Sequence, residues 1–74
     1  MATKNDQTTQ IALAGVISEL SRLLAQSAAI AAEAQEAIKK GDRNLAVGTL
    51  LGAEAAIQSV GPLLAATLSL HRNH

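Results

Sequence analysis

Apolar residues recur every three or four positions along the first half of the chain. From about residue 7 to residue 40, they form three neighbouring columns with a spacing of seven, while charged and amide side chains occupy the opposite side. This pattern predicts one long amphipathic α-helix. The columns are Leu13, Leu20, Ser27 and Ala34; Val16, Leu23, Ile30 and Ala37; and Ile17, Leu24, Ala31 and Ile38.

A tight turn is predicted at residues 41–42. Lys39 and Lys40 place positive charge at the negative end of the helix dipole. Gly41 can adopt the left-handed conformation that ends many helices, and Asp42 can cap a new helix directly after it. Because the connection is so short, we expect the second helix to run back antiparallel to the first.

The second helix is predicted from about residue 43 to residue 71. Its larger apolar residues include a column of Leu50, Ile57 and Leu64. Pro62 follows Gly61 and cannot donate a backbone hydrogen bond, so we expect a kink or a break near residues 61–62. The pattern indicates a single helical-hairpin domain over residues 1–74.

The chain is short for a self-sufficient core. It has 74 residues, 49% of them hydrophobic, with no aromatic residue and no cysteine. Without disulfides, oligomerisation is the remaining way to stabilise so small an apolar core. We therefore predict an all-α fold, an antiparallel hairpin that dimerises into a four-helix bundle. The predicted oligomer interface comprises Gly48, Leu50, Gly52, Ala56, Ile57, Val60, Leu63 and Leu64.

Residues 45–70 are long enough to cross a bilayer and contain one formal charge, Glu54. The favourable insertion of their aliphatic residues, about −0.3 to −0.6 kcal/mol each, is nearly cancelled by about +3 kcal/mol for a central acid. This balance favours packing against protein, with membrane insertion as the alternative. The polar first ten residues make a poor signal peptide, so we expect a cytoplasmic protein.

The sequence offers little machinery for chemistry. Glu33 and Glu36 lack the histidine partners of a carboxylate metal site, and His71 and His74 alone provide too few ligands. No nucleophile has an evident base partner. Glu54 is expected at the edge of the bundle, since an unpaired buried carboxylate is costly. We expect no catalytic residue, no metal and no cofactor.

The sequence therefore favours a non-enzymatic protein-interaction module. Such a homodimer could serve as an adaptor, a co-chaperone or a small regulator, and its groove could take an amphipathic helix of another protein. A third hypothesis, RNA binding, rests on Lys39, Lys40 and Arg43 around the turn. The zero net charge and the lack of aromatic residues argue against nucleic acid as a partner.

Overall fold

The computed structural model describes the backbone of residues 4–72 and the side chains of residues 7–72. Within that range the chain is all-helical: α1 spans Lys4–Lys39, α2 spans Arg43–Leu51 and α3 spans Glu54–Arg72. Both α2 and α3 pack back along α1. The predicted all-α class is confirmed, although α1 begins three residues earlier and ends one residue earlier than the pattern indicated.

The turn between α1 and α2 has the predicted chemistry. Gly41 has a φ of +82°, and its N–H donates to the carbonyl of Ile38 at 3.0 Å. The N–H of Asp42 donates to the carbonyl of Ala37 at 3.0 Å, which completes a Schellman motif at the end of α1. The Asp42 carboxylate then accepts the N–H of Leu45 at 3.0 Å and caps α2. Two residues thus end one helix and start the next.

The contact between α1 and the two helices that run back along it, α2 and α3, forms a seam whose residues recur with a heptad spacing. Two of the three predicted columns of α1 are buried or half-buried, including Leu23, Ala34 and Ala37. Opposite them, the buried residues of the returning helices are Ala46, Ala53 and Ala56. The third predicted column, which begins at Ile17, is exposed along its whole length. A single seam contacts only two columns of a helix, so the third is left without cover.

The interruption of the second helix lies at Gly52 and Ala53, not at the predicted Gly61–Pro62. The N–H of Gly52 donates to the carbonyl of Thr49 at 3.0 Å, and that of Ala53 donates to the carbonyl of Leu50 at 2.9 Å. These bonds reach back three residues rather than four, so the chain tightens locally. α2 and α3 meet there at about 40°.

Close packing and solvent exposure account for this difference. Ala53, at the point where the chain tightens, is only 1% exposed, the lowest value among the buried residues of the seam. Glu54 then begins α3, where its negative charge matches the helix dipole. Pro62 lies inside α3 on an exposed position. The carbonyl of exposed Gln58, which loses its usual donor to proline, can bond to water instead, and the helix continues.

Candidate interaction surface

Large aliphatic side chains form a continuous exposed surface along one side of the hairpin, which we call the apolar face. Each is about half exposed, from 48% for Leu50 to 57% for Ile57. Surface of this extent on a small protein usually marks an interaction site. The apolar face consists of Ile17, Leu24 and Ile38 on α1 and Leu50, Ile57 and Leu64 on α2 and α3.

These residues share one side because of their place in the heptad. Each helix has heptad positions that flank the seam on either side. In an antiparallel pair, the same flanking position of the two helices lies on the same side of the seam, so the two columns are neighbours. The column of Ile17 and Leu24 on α1 and the column of Ile57 and Leu64 on α3 hold equivalent positions next to the seam. The two columns therefore run beside each other along the rod.

A hollow of about 330 Å³ opens on the apolar face near the turn. Its walls are Ala31 and Ile38 from α1 and Val47 and Leu50 from α2. The buried residues Ala34 and Ala46 also line it, and Gln35 is the one polar residue at its border. A cavity of about 150 Å³ can hold a benzene molecule, so this hollow has room for more than one aliphatic side chain. Its lining selects apolar occupants.

The opposite side of the hairpin is more polar. The Arg22 guanidinium donates to both carboxylate oxygens of Glu19, with a distance of 3.0 Å for the Nε contact. This hydrogen bond, together with the positive charge of Arg22, lowers the pKa of Glu19 and raises the pKa of Arg22. Both residues border a shallow groove of about 650 Å³ that also includes Leu23, Ala55, Gln58, Ser59, Pro62 and Leu63.

The polar groups of this groove have partners within the chain. Gln58 donates to the Glu54 carboxylate at 3.2 Å, and the hydroxyl of Ser59 donates to the carbonyl of Ala55 at 3.0 Å. Glu19 and Arg22 bind each other. The groove thus holds no polar side chain with an evident need for a ligand, which makes the apolar face the stronger candidate.

The residues predicted as an oligomer interface occupy three different surfaces. Leu50, Ile57 and Leu64 lie on the apolar face. Ala56 is buried in the seam, and Val60 and Leu63 are half-buried there. Both glycines of the predicted interface, Gly48 and Gly52, are exposed toward the polar side. Ile17, Leu24 and Ile38, which complete the apolar face, were not among the predicted interface residues.

The acidic residues and histidines give no metal site in the described range. No group of three or more histidine, aspartate or glutamate side chains is close enough there to hold an ion. Glu54 is exposed and its carboxylate accepts from Gln58, so it is not buried without a partner; its place at the edge of a bundle stays a prediction. Of the two histidines, His71 lies in the last turn of α3, while His74 falls outside the described residues.

No single described helix has the length and apolar character of a membrane span. α2 and α3 considered together do reach the required length and hydropathy, as a span bent by about 40°.

Comparison with known proteins yields no relative. No family model, no curated protein and no solved structure matches the chain. Its function must therefore be argued from its own surfaces.

Proposed function

We propose that this protein is a non-enzymatic helical interaction module that acts as a homodimer through its apolar face. The observation that carries the proposal is the row of six half-exposed aliphatic side chains on one side of the hairpin. A second copy of the chain offers a surface of the same size and chemistry, so the two faces can cover each other in a four-helix bundle.

The amount of exposed surface supports this proposal. The chain exposes 5498 Å². A compact monomer of 7.6 kDa is expected to expose only about 4,300 Å². The excess of about 1,200 Å² per chain is more than the roughly 800 Å² that each partner contributes to a standard interface. This excess arises because the hairpin is a rod of 58 × 16 × 12 Å with one internal seam.

The free energy gained by covering the apolar face is comparable to the cost of association. Complete burial of a leucine or isoleucine contributes about 1.5–3 kcal/mol, so covering a half-exposed one adds about 1 kcal/mol. Six such residues on each of two chains give about 12 kcal/mol in total. Association costs about 4–15 kcal/mol. Because gain and cost are similar, each residue of the face should make a measurable difference to dimer formation.

Light scattering coupled to size exclusion tests the proposal on the purified protein in plain buffer. We expect a particle of twice the 7.6 kDa chain mass. Leu24→Glu, which places a charge in the apolar face, should give monomers. Gln26→Glu adds the same side chain two residues later, at an exposed position off the face, and should leave the dimer intact.

A monomer of unaltered sequence at high concentration would overturn the proposal. If Leu24→Glu unfolds instead of dissociating, thermal unfolding of the unaltered protein gives a second measurement. The melting temperature should rise with protein concentration, because binding between chains stabilises only the folded state. A melting temperature independent of concentration would also contradict dimer formation.

A membrane-active protein is the second candidate, because α2 and α3 together meet the length and hydropathy of a bent span. On this alternative, residues 45–70 insert into the bilayer. The protein would then need detergent to stay monodisperse and would float with neutral phosphatidylcholine vesicles in a density gradient. On the homodimer proposal it remains at the bottom of the gradient.

A further inference from the structure

The apolar face also carries information about how two copies are oriented. A two-fold axis that brings the faces together must lie in the interface. It runs either along the rods, which places both turns at the same end, or across the rods, which places the turns at opposite ends. Only the second arrangement stacks α1 on α1 and α3 on α3.

We infer that the second copy packs with its turn at the opposite end, on an axis that crosses α3 near Ile57 and α1 between Leu24 and Ala31. This inference rests on the proposed homodimer and specifies its geometry. Ile57 is the middle residue of the column formed by Leu50 of α2 and Ile57 and Leu64 of α3. The α1 column runs from Ile17 to Ile38, and its middle lies between Leu24 and Ala31. The face is therefore centred on this axis.

The hollow near the turn supports the opposite-end arrangement. It lies at one end of the face, between Ala31 and Ile38 of α1. With both turns at the same end, this hollow would meet the identical hollow of the second copy, and the space would stay unfilled at a cost in packing. With the turns at opposite ends, it meets the other end of the face, where Ile17 and Leu64 of the second copy are half exposed. Those aliphatic side chains suit its apolar lining.

Distances between spin labels test the inference, since the chain has no cysteine and a single introduced cysteine marks each copy once. Lys40 lies between twelve and thirteen residues from the middle of the α1 column. At 1.5 Å per residue, two labels on Lys40→Cys should be about 35–40 Å apart in the opposite-end dimer. In the same-end dimer they would be within about 25 Å, since only the width of two helix layers separates them.

Gln26→Cys is the matched control. Gln26 is exposed, lies on the side of the hairpin away from the apolar face and is close to the middle of α1. Its two labels should therefore be separated by the thickness of the four-helix bundle, about 25–30 Å, in either arrangement. This distance at residue 26 together with a short distance at residue 40 would overturn the inference while leaving the homodimer in place. Failure to detect coupling between labels at residue 26 would mean that no dimer forms, and the proposed function would fail as well.

Oxidation of a second pair of cysteine variants provides an independent check. Ile57→Cys should give a covalent dimer, because the two copies of residue 57 face each other across the axis. In the same-end arrangement each would face α1 instead, offset by an interaxial distance of about 8–10 Å, which is beyond disulfide reach. Leu51→Cys, on the exposed outer side of α2, should stay monomeric on the gel in both cases.

Discussion

Removal of a single side chain from the centre of the apolar face should weaken self-association by a predictable amount. Ile57 is 57% exposed in the isolated hairpin. Covering the exposed part contributes about 1–1.5 kcal/mol, and a symmetric dimer contains it twice, so Ile57→Ala should cost about 2–3 kcal/mol of dimer free energy. This corresponds to a dissociation constant about 30- to 150-fold higher. Alanine is a good helix former, so α3 should remain folded.

Sedimentation velocity over a dilution series measures the dissociation constant, and circular dichroism checks that helix content is unchanged. Leu51→Ala is the matched control, because Leu51 is even more exposed, at 63%, but lies on the side of α2 that points away from α1. We expect its dissociation constant to stay within about threefold of the original. Equal effects of the two substitutions, or no effect of Ile57→Ala, would refute the assignment of the interface to the apolar face.

Three further tests of the fold use single substitutions. Ala53→Leu forces extra volume into the most buried position of the seam and should lower the free energy of unfolding by about 1–3 kcal/mol in urea titrations, whereas Ala55→Leu on the exposed side should change it little. Gly41→Ala strains a backbone with a φ of +82° and should cost about 1–2 kcal/mol, while Gly15→Ala, with open space around the new methyl group, should stabilise α1 by about 0.5–1 kcal/mol. The pKa of Glu19 is lower in the folded protein than in the unfolded chain. Its pairing with Arg22 therefore stabilises the fold fully at pH values above the pKa of the unfolded chain. This stabilisation is lost as the pH falls through the pKa of the folded protein. The melting temperatures of the original protein and Glu19→Gln should accordingly converge in acid, and a difference that persists below that pKa would contradict the pairing.

The sequence predicted those features that depend on neighbouring residues. The turn at Gly41 and Asp42 was predictable because a left-handed glycine and an aspartate cap depend only on backbone groups a few residues away along the chain. The helical class followed from apolar spacing, which needs no knowledge of the partner helix. These local signals also gave the limits of α1 to within three residues.

The remaining features depend on tertiary contacts. The three columns of α1 were visible in the sequence, but which two would face the returning chain depends on how the helices rotate against each other. The column of Ile17 and Leu24 belongs to the same predicted apolar side as the two buried columns, but it is exposed in the single chain. Pro62 gave the stronger local signal for a break, whereas the chain tightens at Gly52, next to the deeply buried Ala53. Glu54, an acidic residue shortly after a glycine, was the one sequence signal for a new helix start.

The backbone torsions at Gly41 and Asp42 decide the topology of the chain. Gly41 has a φ of +82° and Asp42 has a ψ of 83°, so neither residue is helical. With helical torsions at both residues, α1 would continue into α2 as one straight rod, and Ala46 could no longer reach the buried surface around Ala37. That surface could then be covered only by another polypeptide, through an exchange of helices between two molecules. Two residues thus separate a chain that folds onto itself from one that must share its core with a neighbour.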